Sequence, residues 1–242
     1  MRAILTYHSV DDSGSVVSID EAAFRRHVRW LASGRVRVTG VTELLDLPTS
    51  ADGIALTFDD GFANFASVAW PLLRDHGLPA TLFIATDFVG RSNDWARRGH
   101  AIPRLPLLDW DEIGRLAEEG VAIGSHSRTH PDLRALPEVV LAEEIEGAAS
   151  RIRSEVGTAP TVFAYPFGLL DDAAVAAVRS AHALACTAEL RALRDHEDPC
   201  RVPRLDCLYF RRPGTLEAWG TGRFRGRLRL RAGLRRLRGA FV

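Results

Sequence analysis

The amino-acid sequence predicts an α/β fold built on a mainly parallel sheet, either open or closed into a barrel. Short apolar runs alternate along the chain with longer segments of helical periodicity, which is the pattern of strand–helix–strand units. Several of the apolar runs also end in a cluster of polar residues. Because sites in such folds gather at the carboxyl ends of the strands, we expect these polar clusters to lie close together.

The predicted strands are the apolar runs themselves. The run at 54–58 is the clearest, because it stops at a carboxylate pair, Asp59 and Asp60, and Gly61 allows the chain to turn there. The predicted strands are 3–6, 36–38, 54–58, 80–85, 121–124, 161–164, 183–187 and, as one further candidate, 202–208.

Periodic segments with start and stop signals predict the helices. Asp109, followed three residues later by Glu112, is typical of a capping box and marks the start of one helix. The polar, proline-containing segment 91–106 predicts a loop near the site or a lid. The predicted helices are 20–32, 42–47, 64–76 with a break near Pro71, 109–119, 137–156 and 171–181.

The charge is balanced over the chain but unevenly spread. All 31 basic residues are arginine, and the net charge is zero. Residues 223–238 carry eight arginines and no acid, so this segment is +8 and the remainder is −8. The body of the protein therefore offers no general basic surface for nucleic acid, and only the tail is suited to anions.

The cysteines and the apolar runs indicate in which cellular compartment the protein is expected. Cys186, Cys200 and Cys207 are odd in number and lack zinc-ligand spacing, which is typical of ordinary thiols in a reduced protein. The apolar run at the N-terminus is too short for a signal peptide, and no stretch approaches the ~20 apolar residues of a membrane span. We expect a cytoplasmic protein.

The polar clusters contain the parts of a metal site. His126 and His130 are spaced i, i+4, and on a helical turn both imidazoles would share one face. With one carboxylate of the 59–60 pair they would leave a divalent ion open positions for chemistry. Zinc suits this ligand mix, and cobalt, nickel and manganese also fit it. The bland alternative is a solvated loop that happens to carry two histidines.

The remaining polar groups complete a hydrolytic site. The second carboxylate of the Asp59–Asp60 pair would take a proton from water that the ion acidifies. His8 at the end of the first strand is a candidate proton donor, because histidine titrates near neutral pH. Together these groups indicate metal-assisted hydrolysis of an amide or ester. Magnesium-dependent phosphoryl chemistry is the rival at the aspartates, and the paired histidines argue against it.

Three motifs in order resemble those of the polysaccharide deacetylase family, the NodB-homology domain of carbohydrate esterase family 4. Residues 57–61 (TFDDG) and 126–130 (HSRTH) match the first two motifs, and residues 164–168 (AYPFG) resemble the third. The resemblance runs from about residue 5 to 208. It implies a deformed parallel β/α barrel that removes N-acetyl groups from amino sugars.

The same resemblance assigns roles to individual residues. Asp59 would be the general base, and the metal ligands would be Asp60, His126 and His130. The third motif, through Tyr165, Pro166 and Phe167, would bind substrate, with the Phe167 N–H helping to stabilise the oxyanion.

The sequence departs from the commonest family pattern. The arginine that usually stands two residues before the third motif's proline is replaced by Ala164, and neither the Asp-Trp motif that usually comes after it nor a late leucine–histidine motif is present. Residues 5–10 (LTYHSV) resemble instead the subgroup opened by a Tyr-His-Ser segment, as in deacetylases of biofilm poly-N-acetylglucosamine, which makes His8 the general acid. We expect Arg204 to replace the missing arginine by pairing with Asp59.

The tail at 222–242 is predicted as a separate basic amphipathic segment after a domain at 1–221. Residues 223–231 alternate in a strand-like period, and beyond them apolar residues at 230, 234, 237 and 241 fall at helical spacing. A basic amphipathic helix is suited to an anionic membrane, so we expect peripheral contact at the inner membrane surface. A helix packed on the barrel and a disordered tail are the alternatives.

The function predicted from these observations is metal-dependent removal of an N-acetyl group from an amino sugar in a glycan, glycolipid or small glycoside. Two alternatives remain open. One is hydrolysis of a non-sugar amide or cyclic imide, and the other is a catalytically silent family member that binds glycan or membrane.

Overall fold

The chain winds a parallel sheet around an apolar centre, in the computed structural model that describes residues 1–97 and 102–237. The main sheet has the strand order β10-β1-β5-β6-β7-β8-β9, β4 pairs with β5 outside this path, and β2 pairs with β3 separately. The strands are β1 (Arg2–Tyr7), β2 (Ser9–Val10), β3 (Ser18–Ile19), β4 (Arg37–Thr39), β5 (Gly53–Phe58), β6 (Thr81–Ile84), β7 (Ala122–Ser125), β8 (Val162–Ala164), β9 (Leu184–Cys186) and β10 (Arg204–Asp206).

The sheet is nearly closed into a barrel. Val202 bridges Cys186 in a parallel sense, and its N–H donates to the Ala185 carbonyl at 2.9 Å. Two residues further along the chain, β10 pairs in parallel with β1. The segment 202–206 therefore joins the two ends of the sheet, and the deformed parallel barrel implied by the sequence is confirmed as a single domain.

Helices surround the strands, and their starts match the predicted signals. The Asp109 side chain accepts from the Glu112 N–H, and the Glu112 side chain accepts from the Asp109 N–H, so the capping box is confirmed. The helices are α1 (Glu21–Leu31), α2 (Val41–Asp46), α3 (Trp70–Asp75), α4 (Trp110–Glu118), α5 (Glu138–Val156), α6 (Asp172–Ala181) and α7 (Gly222–Leu237). A π-helical turn over Phe65–Ala69 precedes α3, which places the predicted break immediately before Pro71.

Successive side chains along each strand point to opposite faces of the sheet, which divides the core into two layers. Ile4 and Ala55 pack inside the barrel, whereas their neighbours Leu5 and Leu56 pack outward beneath the helices. All six residues of β1 and all six of β5 are buried. Each large apolar side chain contributes roughly 1.5–3 kcal/mol on burial, so these central strands are held firmly and fix the position of the turns at their carboxyl ends.

The Arg-rich segment is helical. The strand-like alternation at 223–231 therefore does not correspond to a strand. Phe224 is buried, and its ring stacks on Phe210 at a centroid distance of 5.4 Å. This apolar anchor allows α7 to form a helix on the barrel where the local alternation of arginine and apolar residues suggested a strand. Residues 238–242, and with them the predicted apolar position 241, lie outside the described residues. No helix in the described ranges has the length and apolar character needed to cross a bilayer.

Candidate metal centre and active site

The predicted polar clusters meet at the mouth of the barrel. His8 comes after β1, Asp59 and Asp60 after β5, and His126 after β7, each immediately beyond the last strand residue. With Arg204 from β10 they line one cleft of about 790 Å³. The expectation that the strand ends form a single site is therefore confirmed by the geometry.

Unusual backbone conformations aim the ligand side chains. Asp60 and Gly61 are consecutive residues in the left-handed region, with φ of 76° and 75°. Ser127 and His130 have φ of 65° and 56°. A left-handed conformation is uncommon for residues other than glycine, and such outliers concentrate at functional sites.

The spacing of His126 and His130 would bring the two imidazoles together on a helical turn, but segment 126–130 is not helical. These five residues form a loop, in which the Ser127 hydroxyl accepts a hydrogen bond from the His130 N–H at 3.1 Å. The two imidazole rings still converge, with their centroids 4.7 Å apart. Their approach is set by the positive φ angles of the loop and by its packing, not by helical periodicity.

Asp60, His126 and His130 form a buried cluster with the composition of a metal site. The Asp60 Oδ1 atom lies 3.5 Å from His126 Nε2 and 3.4 Å from His130 Nε2. The three candidate ligand atoms all lie within 4.8 Å of one another. Two imidazole nitrogens and one carboxylate oxygen are the donors expected for a catalytic zinc or similar ion that keeps open positions.

Hydrogen bonding prepares one of these histidines as a ligand. His126 Nδ1 lies 2.7 Å from the Ala164 carbonyl oxygen, to which its N–H donates. This bond leaves the Nε2 lone pair facing the cluster, which is the outer-shell arrangement typical of metal-binding histidines. The residues present therefore fit a divalent ion.

The local charges favour a cation among these groups. Burial would raise the pKa of Asp60, but the neighbouring His126 and His130 outweigh it and hold that pKa well below its usual range. Burial lowers the pKa of His130, and Asp60 offsets this only in part. For His126, the same burial effect is outweighed by Asp60 and Asp59, and the pKa is raised. The ionised carboxylates thus stabilise positive charge at this position.

Asp59 is held by a fully buried arginine. Arg204 donates from Nη1 to Asp59 Oδ1 at 2.6 Å and from Nη2 to Oδ2 at 2.7 Å. Arg204 also donates to the Thr187 carbonyl at 3.1 Å, which fixes the plane of its guanidinium group. Burial would raise the pKa of Asp59, but the charge of Arg204 contributes most to leaving it below the ordinary value. The pairing proposed from the sequence is present in the structure.

His8 stands beside the same carboxylate. Its Nε2 atom is 3.8 Å from Asp59 Oδ2, and a quarter of its side chain is exposed, at 25%. Because it lines the cleft and is partly open to solvent, His8 can be reached both by water and by a molecule bound in the cleft.

The third motif forms one wall of the cleft. Phe167 has a positive φ of 58°, and its ring packs edge-on against His130 at 4.5 Å between centroids. Tyr165 also lines the cleft, although its hydroxyl donates to the Cys200 carbonyl at 3.0 Å. Pro166 is buried and starts the short 3₁₀ turn that presents Phe167.

Trp95, which was not predicted as a site residue, lies next to the Asp60–His126–His130 cluster, called the metal cluster below. The Trp95 ring stacks on His130 with centroids 4.8 Å apart and an interplanar angle of 28°. On its other side it meets Phe88 edge-on at 4.5 Å. The available signal was Trp95 inside the loop predicted near the site, since a large aromatic residue in such a loop is suited to line a binding cleft. Arg235 and Tyr209 also line the cleft and were not predicted to do so.

The sequence is similar to a family model and to individual proteins that are described as deacetylases. Residues 46–185 match the sequence model of the family described as polysaccharide deacetylase. The chain is 23% identical over 192 residues to YxkH, a polysaccharide deacetylase candidate of Bacillus subtilis, in an alignment that covers 77% of this chain and 64% of YxkH. It is 22% identical over 204 residues to the poly-β-1,6-N-acetyl-D-glucosamine N-deacetylase of Staphylococcus epidermidis, covering 78% of this chain and 67% of that protein. The chain thus spans less than two thirds of YxkH.

Solved structures share the fold. IcaB from Ammonifex degensii superposes with a TM-score of 0.72 at 24% identity, covering 84% of this chain and 90% of IcaB. The Streptococcus pyogenes deacetylase PplD, solved in complex with acetate, superposes with a TM-score of 0.71 at 17% identity, covering 84% of this chain and 91% of PplD. At these identities the two superpositions bear on the fold alone.

Proposed function

The chain belongs to the polysaccharide deacetylase family, and we propose that it is a metal-dependent N-deacetylase acting on an N-acetylated amino sugar in a glycan, glycolipid or small glycoside. The observation that carries the proposal is the Asp60–His126–His130 cluster at the barrel mouth, beside the paired Asp59 and Arg204. Family membership supports sugar deacetylation, and the cluster supports its dependence on a metal.

The proposed metal ligands are Asp60 Oδ1, His126 Nε2 and His130 Nε2. A divalent ion such as Zn²⁺, or Co²⁺, Ni²⁺ or Mn²⁺, supplies Lewis-acid chemistry when bound there, polarising an acyl oxygen and acidifying water.

Asp59 is proposed as the general base. Its carboxylate is buried and lies at the cleft, so it can accept a proton from an attacking water. Arg204 keeps Asp59 ionised and fixes both carboxylate oxygens, which supports a role for this arginine in positioning the base.

His8 is proposed as the general acid. Its Nε2–H can deliver a proton to the amine that leaves the acetyl group, from the side of the cleft where Asp59 lies. Phe167, Tyr165 and Pro166 are proposed to form the substrate wall, with the Phe167 N–H stabilising the negative charge on the acyl oxygen.

The buried free thiols of all three cysteines support placing the protein in a reducing compartment such as the cytoplasm. Peripheral membrane contact through the tail stays a prediction without support from the described residues.

Acetate release from N-acetylated amino-sugar oligomers tests the proposed function. The zinc-loaded wild type is expected to release acetate, and Asp59→Asn to slow release by about 10²- to 10⁴-fold, because an amide cannot accept the water's proton. The matched control is Asp172→Asn, whose carboxylate is exposed on α6 and is expected to leave the rate unchanged. Hydrolysis restricted to non-sugar amides, or no hydrolysis by the wild type, would overturn the proposed substrate or activity.

A further inference from the structure

Helix α7 carries a row of arginines along the rim of the cleft. Arg227, Arg231 and Arg235 are spaced four residues apart and therefore share one face of the helix. Arg227 donates to the Tyr209 carbonyl at 3.4 Å, and the Arg231 guanidinium lies 5.4 Å from the centre of the Tyr209 ring. Tyr209 and Arg235 both line the cleft that contains the metal cluster. The row thus leads along Tyr209 into the candidate active site.

Among the residues that the structure describes, no salt bridge joins these three arginines to an acidic side chain, although Glu189 and Arg235 line one groove. The other arginine that lines the cleft, Arg204, is paired with Asp59. Burial lowers the pKa of Arg227, and the positive charges around it, first that of Arg231, lower it further. The row is therefore a set of neighbouring cations for which the described residues provide no salt-bridge partner.

The last arginine of the row stands where the cleft continues into a second groove. This groove has a volume of about 360 Å³ and shares Gly168, Ala188 and Arg235 with the cleft. Leu169 and Leu190 contribute apolar surface to it. A substrate longer than one sugar has room to extend from the cleft into this groove past Arg235, where a charged substituent would lie near its guanidinium group.

We propose that Arg231 and Arg235 bind a phosphate ester on the substrate, so that the protein selects N-acetylated amino sugars that carry a phosphate. This inference rests on the proposed function. Phosphate is favoured over carboxylate because an ester carries about −1.5 to −2 at neutral pH, which balances two or three guanidinium groups better than a single negative charge. Guanidinium also matches phosphate geometry through paired N–H donors.

The orientation of the row favours a substrate over a membrane surface. Arg235 lines a concave cleft, which a flat bilayer cannot enter. The exposed leucines of α7, Leu230 and Leu234, are not among the cleft-lining residues. Binding to a membrane is the alternative, and the vesicle experiment below would detect it.

The test compares di-N-acetylchitobiose with its 1-phosphate. Binding is measured by calorimetry, and acetate release is measured in parallel on the zinc-loaded protein. The variants are the double substitution Arg231→Gln with Arg235→Gln and the matched double substitution Arg225→Gln with Arg229→Gln. The control removes the same charge at the same spacing. Arg225 and Arg229 line a third groove, next to Met1 and Arg194, and not the cleft.

The wild type is expected to bind the phosphorylated disaccharide at least about tenfold more tightly than the neutral one, since phosphate–arginine contacts are charge-assisted hydrogen bonds. The Arg231/Arg235 variant is expected to lose this preference, and the Arg225/Arg229 variant to keep it. Equal binding of the two disaccharides by the wild type would overturn the inference, as would equal effects of the two double variants.

Two further results separate this inference from its premises. Phosphate-selective binding without acetate release would uphold the arginine row and reject the proposed deacetylation. Loss of sedimentation with vesicles of phosphatidylglycerol and phosphatidylcholine in the Arg231/Arg235 variant alone, with disaccharide binding unchanged, would assign the row to a membrane and overturn the inference.

Discussion

At the scale of single residues, the bond between Arg204 and Asp59 decides how the candidate base is presented. The arginine comes from β10, 145 positions along the chain from the carboxylate that it holds. The third motif has Ala164 at the position of the usual arginine, and Asp59 pairs with Arg204 from β10. The Ala164 carbonyl accepts a hydrogen bond from His126. The site therefore combines a familiar carboxylate with a guanidinium group delivered from another strand.

Replacing Arg204 with lysine tests this positioning. Lysine keeps the positive charge but lacks the planar fork, so we expect kcat for acetate release to fall about 10- to 100-fold, because a misplaced reacting group can cost up to about 10²-fold. Arg204→Ala is expected to destabilise the fold by about 3–5 kcal/mol in urea unfolding, since it leaves the buried Asp59 carboxylate without a partner.

The matched control is Arg191→Lys. Arg191 also makes a bidentate pair, with Glu197, but it lies outside the cleft. This variant is expected to retain the wild-type kcat. If Arg204→Lys also retained it, Arg204 would have only a structural role.

At the scale of elements, the turns after the strands carry more of the site than the strands do. Gly168 ends the third motif with φ of +68°, and a Cβ there would lie 2.2 Å from the Ala188 Cβ and 2.8 Å from the Ala188 nitrogen. The turns after β8 and β9 therefore touch at a point where only glycine fits. This contact holds Phe167 against the metal cluster.

Gly168→Ala is expected to destabilise the protein by about 3 kcal/mol, the sum of overpacking and left-handed strain, and to lower kcat/KM by displacing the Phe167 wall. Gly157→Ala is the matched control, because Gly157 is also left-handed, with φ of +80°, but has nothing within 4 Å of its Cβ position. It should lose only about 1 kcal/mol in urea unfolding. Equal losses in the two variants would show that the contact with Ala188 is unimportant.

The local sequence of helix α7 favours a strand over part of its length. Arginine alternates with apolar residues over 223–231, which locally matches a strand. The observed helix depends on Phe224, which packs against Phe210 and Trp219 of the barrel. That tertiary contact outweighs the local alternation. The i, i+4 spacing of Phe224 and Leu228, which both pack against the core, is the signal within the tail that favours a helix.

At the scale of the whole molecule, the barrel and the meeting of the polar strand ends in one cleft could be predicted from the sequence. The strands are short apolar runs, and the chemistry lies directly after them, as at Asp59 and His126. Parallel topology alone then brings those ends together. The predicted cleft residues His8 and Arg204 lie there as well.

The geometry within the site could not be predicted in the same way. The positive φ angles of Ser127 and His130 leave no signature in residue type, so the spacing of the histidines indicates a helical turn where the chain forms a loop. Trp95 stacks on His130 from a loop 35 positions away in the sequence, and only the folded chain brings the two rings together.

The metal content of the purified protein decides whether Asp60, His126 and His130 bind a divalent ion. Elemental analysis after incubation with zinc should find about one equivalent in the wild type, because Asp60, His126 and His130 form a catalytic-type ligand set. Asp60→Ala and His126→Ala should each lose the ion, whereas the control His8→Ala, which alters a histidine of the same cleft outside the ligand set, should keep it. A wild-type protein that binds no divalent ion, or ligand variants that bind as much as the wild type, would contradict the account.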